Sequence, residues 1–550
     1  MIVGAGSAGC VLANRLSADG RFTVLLLEAG PRDSYPWIHI PIGYAKTMFH
    51  PVLNWCFYTE PEPDMNGRKI YWPRGRTLGG SSAINGLISI RGQAEDYDAW
   101  AAAGCAGWSF ADVLPWFRAL EHNVRGASDY HGAAGPLWAS DIGVPHPLIE
   151  AMIAGAAELG IARNDDFNGP RQEGAGYYQL TTRNGRRCST AVAYLRPARA
   201  RHNLRIETDA HATGIVLEGR RAHAVTYRRG GAMHRVDARR EIVLCAGALQ
   251  SPLLLQLSGI GPPALLQSLG LPVRHALRGV GANLQDHLQA RVIFRCTQPV
   301  TTNDALRTWY GKLGIGLEYV LKRAGPMAIG INQGGIFARA MPDATRPDVQ
   351  FHFATLSSDM AGSPVHEFSG FTMSVCQLRP TSRGSVYAKS TDPFEAPAMQ
   401  PHYLSTPADR ATLIAGIRLA RRLAATRAMQ PYVDSEYRPG IAAQSDDDLL
   451  EFAKNTGGTI FHPSGTTRMG PSGDPDAVVD PQLRVHGVDA LRVVDCGVMP
   501  TLVSGNTNVP VVMIAERAAA MMLGASSDAS RAAEVAPTRG EDGSTTILED

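Results

Sequence analysis

Three closely spaced glycines near the start of the chain have a spacing that lets the backbone hold a ligand. Gly4, Gly6 and Gly9 follow the apolar pair Ile2–Val3 and precede an apolar run that is typical of a helix. In such a turn the first glycine lets the chain leave a strand, the second leaves room for a pyrophosphate, and the third lets the helix pack closely. A second apolar run ends at Glu28, where a carboxylate can accept hydrogen bonds from a ribose. The pattern predicts an adenine dinucleotide site, and its alternative is a glycine turn in an ordinary α/β core.

A second glycine-rich stretch, residues 73–86, combines glycines with hydroxyl side chains and one amide, Asn85. Its backbone can approach a ligand closely, because glycine has no Cβ and turn backbones expose N–H groups. The stretch therefore predicts a second ligand-contacting loop, and its alternative is an ordinary turn.

The composition excludes several functional classes. At 550 residues the chain is long enough for two domains. Its net charge is +2 and it has no basic run, which argues against a nucleic-acid partner. The eight cysteines are scattered and none belongs to a Cys-x-x-Cys pair, so neither a zinc ribbon nor a dithiol reductase is indicated, and we predict no metal site.

Hydropathy and the chain ends give further expectations. No run of 18 apolar residues occurs, so we expect no transmembrane segment. The start lacks the basic and apolar regions of a secretory signal, so we expect a cytoplasmic location, with peripheral attachment at the inner membrane as an option. Residues 525–550 have almost no large apolar side chains, and we expect them to be disordered. The oligomeric state cannot be read from these patterns.

Periodic apolar residues predict the elements that must position the two loops. Helices are expected over residues 96–121, 147–159, 248–258, 309–323 and 408–425, and from about 511. Between residues 204 and 244, short alternating runs separated by turns predict a small antiparallel meander. Further strands are expected over residues 289–295, 349–353 and 491–495.

Four motifs, in order along residues 1–523, resemble those of the glucose–methanol–choline (GMC) oxidoreductases, flavoenzymes that oxidise alcohols. They are residues 4–9 with Glu28, residues 75–86, residues 247–261, and residues 462–470 with 505–508. Any one of them could arise by chance, but four in family order over most of the chain are hard to explain otherwise. Within the family the chain looks most like bacterial alcohol and choline dehydrogenases, for instance at Asn54, Trp55 and residues 90–92.

The resemblance implies an α/β fold with two parts. One is a Rossmann-like FAD-binding domain, and the other is a substrate domain with a mostly antiparallel sheet and flanking helices. We expect the FAD-binding domain to be discontinuous and to comprise residues 1–150, 191–287 and 458–524. The substrate-binding domain would comprise residues 151–190 and 288–457.

The resemblance also implies FAD as the cofactor. The residues that would contact it are Gly4, Gly6, Ser7, Gly9, Glu28, Ala29, Gly79, Gly80, Ser81, Asn85, Gly86, Ala212, Ala246, Asp495 and Asn508. Of these, Glu28 would hold the ADP half and Ala212 would meet the adenine through its backbone. Asp495 would face the ribityl–pyrophosphate stretch, and Asn508 the pyrimidine edge of the flavin.

Three positions depart from the family pattern. Only three residues precede Gly4, so either the true start lies upstream or the first strand is short, which would weaken FAD retention. Ala83 stands where covalent members carry a histidine, so we expect non-covalent FAD. Thr467 stands where a cysteine is common, and we have no interpretation of that change.

His462 and Asn506 occupy the two positions that the family uses for catalysis. In the implied reaction, a primary alcohol becomes an aldehyde by hydride transfer to flavin N5, and the hydroxyl proton goes to a base. A neutral imidazole suits that proton near pH 7. We expect His462 to be the base and oxygen anchor, Asn506 to donate a hydrogen bond, and the rate to rise with pH near the ordinary histidine range. We interpret His287, in an Asn-Leu-Gln-Asp-His stretch, as structural.

The substrate and the electron acceptor are left open. The first choice is a medium-length aliphatic or aromatic primary alcohol, and the alternative is choline, whose cation needs an aromatic or acidic cage. The candidate aromatic residues are Trp309, Tyr310, Phe351 and Phe353. A dehydrogenase that passes electrons to a quinone or another carrier is preferred to an oxidase that uses oxygen. A GMC-type lyase and a non-catalytic flavin-binding protein are the remaining rivals, and the His–Asn pair favours alcohol oxidation over both.

Overall fold

The computed structural model of the protein describes residues 1–360 and 362–524. Two sheets, one parallel and one antiparallel, form the framework, and helices pack on both. The predicted α/β class is confirmed. The tail predicted to be disordered, residues 525–550, lies outside the described residues.

The helices of the described chain carry most of the connections between strands. The α-helices are Ser7–Leu16, Pro36–His39, Tyr44–Thr47, Ala94–Ala102, Phe110–Leu120, Pro147–Glu158, Arg196–Ala198, Gly247–Leu257, Pro263–Ser268, Thr302–Arg307, Trp309–Lys322, Pro407–Ala424, Asp446–Thr456 and Asn508–Leu523. The 3₁₀ turns are Pro41–Gly43, Pro63–Met65, Gly80–Ala83 and Cys496–Val498, and Ala191–Leu195 is a π-helical turn. The helices predicted near 147–159, 248–258, 309–323 and 408–425 are confirmed.

The parallel sheet has five strands drawn from distant parts of the chain. Their spatial order is Leu204–Glu207, Val24–Leu27, Ile2–Val3, Ile242–Leu244 and Leu491–Val493. Ile2 aligns with Leu26 on one side and with Val243 on the other. Most of its apolar side chains are buried, as expected of a parallel sheet that is covered on both faces.

The meander predicted over residues 204–244 was partly wrong. His211–Glu218, Arg221–Arg229 and Ala232–Asp237 form a three-stranded antiparallel sheet. The flanking runs Leu204–Glu207 and Ile242–Leu244 instead pair in parallel with the first strands of the chain. Short apolar runs do not specify their pairing partners, so the alternation alone could not assign these two runs to another sheet.

The antiparallel sheet is the larger one. Its strands lie in the order Val433–Arg438, Leu288–Cys296, Gly370–Gln377, Val349–Ala354, Asn332–Ala338 and Gly174–Tyr177, and Gly458–Thr459 pairs with one end of Leu288–Cys296. Successive side chains of a strand point to opposite faces. One face is apolar, and Phe351 and Val375 share a buried cluster with Leu413 and Ile417 of the helix Pro407–Ala424. The other face, called here the polar face, carries Gln289, Arg291, His352 and Ser374.

Short two-stranded pairs close the remaining turns. They are Phe57–Tyr58 with Tyr71–Trp72, Glu121–Asn123 with Leu137–Ala139, Thr182–Arg183 with Arg186–Arg187, Ile260–Gly261 with His275–Ala276, and Ser385–Tyr387 with Ala398–Gln400. The segments assigned to the FAD-binding domain and those assigned to the substrate-binding domain contribute strands to different sheets. The exception is Gly458–Thr459, which belongs to an FAD-binding segment and pairs with the large antiparallel sheet. The domain boundaries themselves stay a prediction.

The single helix predicted over residues 96–121 was wrong, because the structure has two helices there, Ala94–Ala102 and Phe110–Leu120. Gly104 has a φ of 92°, a conformation that favours glycine and ends the first helix. Ser109 starts the second helix: its hydroxyl accepts from the N–H of Asp112, whose carboxylate accepts from the N–H of Ser109. Apolar side chains continue through both helices and concealed the break.

The first and last helices of the described chain lie side by side. Ser7 Oγ donates a hydrogen bond to Asn508 Oδ1 at 2.8 Å, across a separation of 501 positions. Arg15 and the buried Glu516 form an ion pair at 2.8 Å. The end of the described chain therefore completes the region where the glycine turn lies. Of the helices between residues 1 and 524, none is long and apolar enough to span a membrane.

Candidate functional site

A cavity of about 720 Å³ opens at the carboxyl ends of the parallel strands. The residues that follow four of these strands line it, namely Gly4, Glu28, Cys245 and Asp495. Ligands of parallel α/β sheets bind at this edge, because the loops that leave the strands create a crevice there. From the sheet edge the cavity continues to the polar face of the antiparallel sheet.

Glycines let the two glycine-rich stretches meet without side chains. A Cβ on Gly80 would lie 2.6 Å from the Cα of Gly6, and a Cβ on Gly9 would lie 1.8 Å from the carbonyl oxygen of Gly4. No side chain caps the N-terminus of the helix Ser7–Leu16, so its first N–H groups stay available to a ligand. An uncapped helix start beside a bare backbone cradle fits the pyrophosphate of the expected FAD.

Two buried carboxylates stand in the cavity wall, and backbone N–H groups fix both. Glu28 accepts from Ala5 and Gly30, at 2.9 Å each. Asp495 accepts from the N–H of Gly247 at 2.9 Å. Burial raises the pKa of Glu28 to about 7, and the two backbone hydrogen bonds oppose that rise. Each carboxylate keeps spare acceptor capacity, because an ionised carboxylate offers about four lone-pair sites.

Amide side chains are fixed beside the same cradle. Asn85 Oδ1 accepts from a guanidinium N–H of the buried Arg187 at 2.7 Å. Burial lowers the pKa of Arg187 to about 9. At the opposite wall, Asn508 Oδ1 accepts from Ser7, so its amide N–H groups stay free to donate toward a ligand.

His462 and Asn506, 44 positions apart, meet in the cavity. His462 is buried at 7% exposure, and its Nε2 lies 3.3 Å from Asn506 Nδ2. Asn506 Oδ1 accepts from Gln350 Nε2 at 3.3 Å. This contact fixes the amide so that its nitrogen, rather than its oxygen, faces the imidazole. The two side chains therefore present one acceptor and one donor at the same point of the cavity.

His287 determines which nitrogen of His462 carries the proton. His287 Nε2 lies 2.9 Å from the carbonyl oxygen of Leu378, which can only accept, so this nitrogen is the donor. Burial lowers the pKa of His287 to about 4, so the ring is neutral and its Nδ1 is an acceptor. His462 Nδ1 lies 3.0 Å from that acceptor and must donate to it. The Nε2 of His462 consequently keeps its lone pair toward the cavity.

Asp286 holds the backbone of the same histidine. Its Oδ1 accepts from the N–H of His462 at 2.7 Å, and its Oδ2 accepts from the hydroxyls of Tyr403 and Thr459. Burial raises the pKa of Asp286 to about 6. The consecutive residues Asp286 and His287 thus fix the main chain and the ring of His462 together.

His462 is held in its neutral form. Burial lowers the pKa of His462 well below its ordinary value, and the nearby cationic Arg74 lowers it in the same direction, as His287 and His352 would if they were protonated. Burial also lowers the pKa of His352 to about 3. In this structure the Nε2 lone pair accepts from the amide of Asn506 at 3.3 Å. A neutral imidazole can accept a proton, and the amide of Asn506 can donate to the oxygen that loses it.

Sequence reasoning missed the residues that support this pair. Tyr178 donates to the carbonyl of Phe351 at 2.7 Å and accepts from Gln350 at 3.0 Å, so it anchors the amide that fixes Asn506. The interpretation of His287 as structural was incomplete, because His287 contacts the candidate base directly. Its one sequence signal was that four of the five residues 283–287 are polar, just before a buried strand. Gln350 lies inside an apolar strand and had no comparable signal.

Fifteen of the seventeen predicted site residues line the cavity. They are Gly4, Gly6, Ser7, Glu28, Ala29, Gly80, Ser81, Asn85, Gly86, Ala212, Ala246, His462, Asp495, Asn506 and Asn508. Gly9 and Gly79 lie behind its wall. Gly9 packs on the carbonyl of Gly4, and the N–H of Gly79 donates to the carbonyl of Ala5 at 2.8 Å. These two glycines shape the cradle through backbone contacts.

The four aromatic residues considered for a cation cage do not converge. Phe351 and Phe353 lie in the buried cluster under the apolar face of the antiparallel sheet. Trp309 and Tyr310 are 76% and 65% exposed and lie outside the cavity. Across residues 1–360 and 362–524, His, Cys, Asp and Glu side chains form no group of three that could hold a metal ion.

Comparison with known families finds matches over most of the chain. The N-terminal family model described as GMC oxidoreductase matches residues 1–289, and the C-terminal one matches residues 380–515. The alcohol dehydrogenase [acceptor] of Pseudomonas putida is 43% identical over 544 residues, which are 98% of each chain. The human mitochondrial choline dehydrogenase is 42% identical over 531 residues, which are 95% of this chain and 89% of the relative. Among solved structures, pyridoxine 4-oxidase from Mesorbium loti superposes with a TM-score of 0.86 at 31% identity, over 95% of this chain and 98% of that one.

Proposed function

The chain belongs to the GMC oxidoreductase family, and from this premise we propose that it is an FAD-dependent dehydrogenase of primary alcohols with His462 as its base. FAD-dependent oxidation of the CH–OH group follows from the family. The observation that carries the assignment of the base is the neutral, oriented imidazole of His462 beside Asn506 in the cavity. Bound FAD supplies the acceptor of the hydride at N5.

His462 and Asn506 divide the work on the hydroxyl group. The lone pair of His462 Nε2 accepts the hydroxyl proton as the alcohol is oxidised. Asn506 Nδ2 donates to the same oxygen, where negative charge develops as the proton leaves. Both groups are fixed before substrate binds, by His287 and Gln350 respectively, so little reorganisation is needed during the reaction.

The charges in the cavity favour a neutral alcohol over choline. Arg291 lines the substrate side, where its Nη2 lies 3.3 Å from the carbonyl of Ser358 and its Nε has no hydrogen-bond partner. Burial lowers the pKa of Arg291 to about 10, which leaves it charged at neutral pH. Among the described lining residues the carboxylates are Glu28 and Asp495, both on the cofactor side. A quaternary ammonium group would therefore meet a cation and no anion.

The apolar part of the same wall supports a medium-length aliphatic or aromatic primary alcohol. It is lined by Ile42, Ile315, Met327, Leu356 and Val365. Pockets of this kind bind the apolar body of a ligand, and a few polar groups orient it. Here His462 and Asn506 are the groups that would orient the hydroxyl end.

Several finer assignments belong to the same proposal. FAD is bound without a covalent link, because Ala83 offers no nucleophile at the position where covalent members have histidine. The cofactor contacts and the domain boundaries are those given in the sequence analysis. The acceptor is a quinone or another carrier rather than oxygen, and the protein is cytoplasmic or peripheral at the inner membrane.

An anaerobic titration of the purified yellow holoenzyme tests the proposal. Primary alcohols of increasing length, benzyl alcohol and choline are each added while the flavin absorbance is followed. We expect the aliphatic and aromatic alcohols to bleach the flavin and choline to be a poor reductant. Faster bleaching by choline than by any neutral alcohol would overturn the substrate assignment.

A second measurement distinguishes a quinone from oxygen as the electron acceptor, and alcohol oxidation from lyase activity. The reduced enzyme is mixed with a quinone analogue or with oxygen, and peroxide is measured in parallel. Reoxidation by the quinone, with little peroxide, is the expected result. A flavin that stays oxidised with every alcohol, in a protein that converts a hydroxynitrile, would instead indicate a lyase.

A further inference from the structure

The helix Trp309–Lys322, called here the outer helix, carries an apolar face that no part of the described chain covers. Its exposed apolar residues are Trp309 (76%), Tyr310 (65%), Leu313 (52%), Leu317 (49%), Val320 (66%) and Leu321 (77%). With 3.6 residues per turn, these six positions fall within an arc of about 120° on one side of the helix. Contiguous exposed apolar patches of this kind mark contact surfaces.

The opposite side of the outer helix faces the body of the protein. Tyr319 is buried at 3% exposure, and Ile315 and Lys312 line the cavity that holds the candidate site. The hydroxyl of Thr308 accepts from the N–H of Gly311 at 3.1 Å and so caps the start of the helix. Because Tyr319 and Ile315 pack against the body of the protein, the apolar face points outward.

Cations lie on the other side of the outer helix and at its end, where Lys312 lines the cavity and Arg323 lies over the ring of Tyr319. Lys312, Lys322 and Arg323 are exposed, and within the described chain none of them forms an ion pair with a carboxylate. The outer helix itself contains one acid, Glu318. A helix with Trp and Leu side chains on one face, and Lys and Arg side chains on the other and at its end, has the pattern of a helix that lies in the surface of a bilayer with anionic lipids.

We propose that the outer helix is a membrane-docking surface, which lies in the headgroup region of a bilayer containing anionic phospholipid. Docking by this face brings the wall formed by Lys312 and Ile315 next to the bilayer surface. An amphiphilic alcohol dissolved in the lipid then reaches the cavity without crossing bulk water. Vesicle binding by this surface does not depend on the alcohol oxidation described above, whereas the delivery of an amphiphilic alcohol from the lipid rests on the proposed function.

Flotation with lipid vesicles tests the proposal on the holoenzyme. The vesicles contain either phosphatidylcholine with phosphatidylglycerol or phosphatidylcholine alone. The triple variant Leu313→Glu, Leu317→Glu, Leu321→Glu places three charges on the outer helix. The matched control is Val144→Glu, Met233→Glu, Ile441→Glu, three residues that are 65%, 58% and 79% exposed elsewhere on the surface. Both variants therefore carry the same change in net charge.

The proposal predicts that the unchanged protein floats with the anionic vesicles and that the outer-helix variant partitions at least about ten-fold less, since each lost leucine removes buried apolar area. The control should partition like the unchanged protein, apart from a weaker charge effect. The double variant Lys322→Ala, Arg323→Ala should lose affinity mainly for the anionic vesicles, and added salt should reduce the difference. FAD content and turnover of a short, water-soluble alcohol without vesicles should match in all variants.

Two results would overturn the proposal. One is an unchanged protein that stays with neither kind of vesicle. The other is a mass by light scattering that shows a dimer, dissociated by the outer-helix variant, without vesicle binding, because the face would then bind a second copy of the chain. Vesicle binding needs no turnover, so a failure here and a failure of the proposed activity are distinguishable.

Discussion

The candidate site and the outer helix depart in opposite directions from the usual distribution of polar and apolar side chains. At the site, His287, Gln350 and His462 are polar and buried, and each has a fixed partner. On the outer helix, large apolar side chains such as Leu321 are exposed without a partner in the described chain. At the site, internal hydrogen bonds offset the cost of burying these polar groups, whereas the described chain does not cover the leucines of the outer helix. The comparison indicates a site that is preorganised before it binds a small molecule and a helix face that is completed by contact with a surface.

The largest expected effect lies at the site. His462→Ala should lower turnover at least about 10²-fold, because the hydroxyl proton loses its acceptor. FAD content should stay near normal, since the cradle lies elsewhere in the cavity. Turnover is measured by dye reduction and flavin content by absorbance. A His462→Ala variant that turns over at a normal rate would show that His462 has no catalytic role. The candidate site could then no longer be contrasted with the outer helix as a binding region.

Asn506 gives the next effect. Asn506→Ala should lower turnover about 10²-fold, as expected for the loss of one donor to a developing oxyanion. Asn506→Asp is the matched control, since it keeps the size and one oxygen but cannot donate from that position when ionised. Both variants should be similarly slow in steady-state assays. A fast aspartate variant would contradict the donor role.

His287 should have a smaller effect, because it acts through another residue. His287→Leu should lower kcat about ten-fold, as is common when a group that orients a functional histidine is removed. The KM for the alcohol and the flavin content should change little, whereas a purely structural role would alter flavin content and thermal stability. His287→Gln, which keeps an acceptor and a donor, should recover part of the lost rate.

The pH profile tests how the buried histidine is held. From the sequence, we expect the rate to rise with pH near the ordinary histidine range. The structure places this rise at a lower pH, because burial lowers the pKa of His462 well below its ordinary value. A base works only when unprotonated, so the rate is lost as pH falls through that pKa and is constant above it. We expect kcat/KM to change less than about two-fold between pH 6.5 and 9, a range above the ordinary histidine pKa. An inflection near pH 6.5 or higher would show that the site is less buried than the structure indicates.

The smallest effect is expected on the outer helix. Leu317→Ala should change the free energy of unfolding by less than about 0.5 kcal/mol in the absence of lipid, because its side chain is half exposed and on the uncovered face. Leu423→Ala, at a position with 1% exposure, is the matched control and should cost about 2–5 kcal/mol. Denaturant unfolding monitors both. A large loss in the outer-helix variant would mean that another part of the chain covers this face.

The sequence predicted the parts of the molecule whose chemistry depends on residue type alone. Gly80 was predictable because a Cβ there would lie 2.6 Å from the Cα of Gly6. A Cβ on Gly6 would meet no protein atom closer than 3.8 Å, so at that position glycine leaves room for a ligand. His462 and Asn506 were predicted through the family resemblance, and the structure places them 3.3 Å apart. The contact between His287 and His462 was not predictable, because it depends on how the strand Leu288–Cys296 lies against a segment 175 positions away.

The misassigned elements have similar physical causes. The pairing of Leu204–Glu207 depends on a partner 180 residues earlier, which a local pattern does not contain. The outer helix was predicted as a helix, but its periodicity identifies an apolar side without saying what that side contacts. Trp309 and Tyr310 were therefore considered for the cavity, and the structure places them on the outside.

The hydrogen bond between Ser7 and Asn508 has a consequence for biosynthesis. The cavity in which we expect the flavin lacks one wall until the segment around Asn508 has been made, because Asn508 and Asp495, which follows the strand Leu491–Val493, line it. At about 5–20 residues per second, translation separates the two halves by roughly 25–100 s. We therefore expect the cofactor to be loaded late in synthesis, and a chain that ends before the last strand to lack a complete cavity for the flavin.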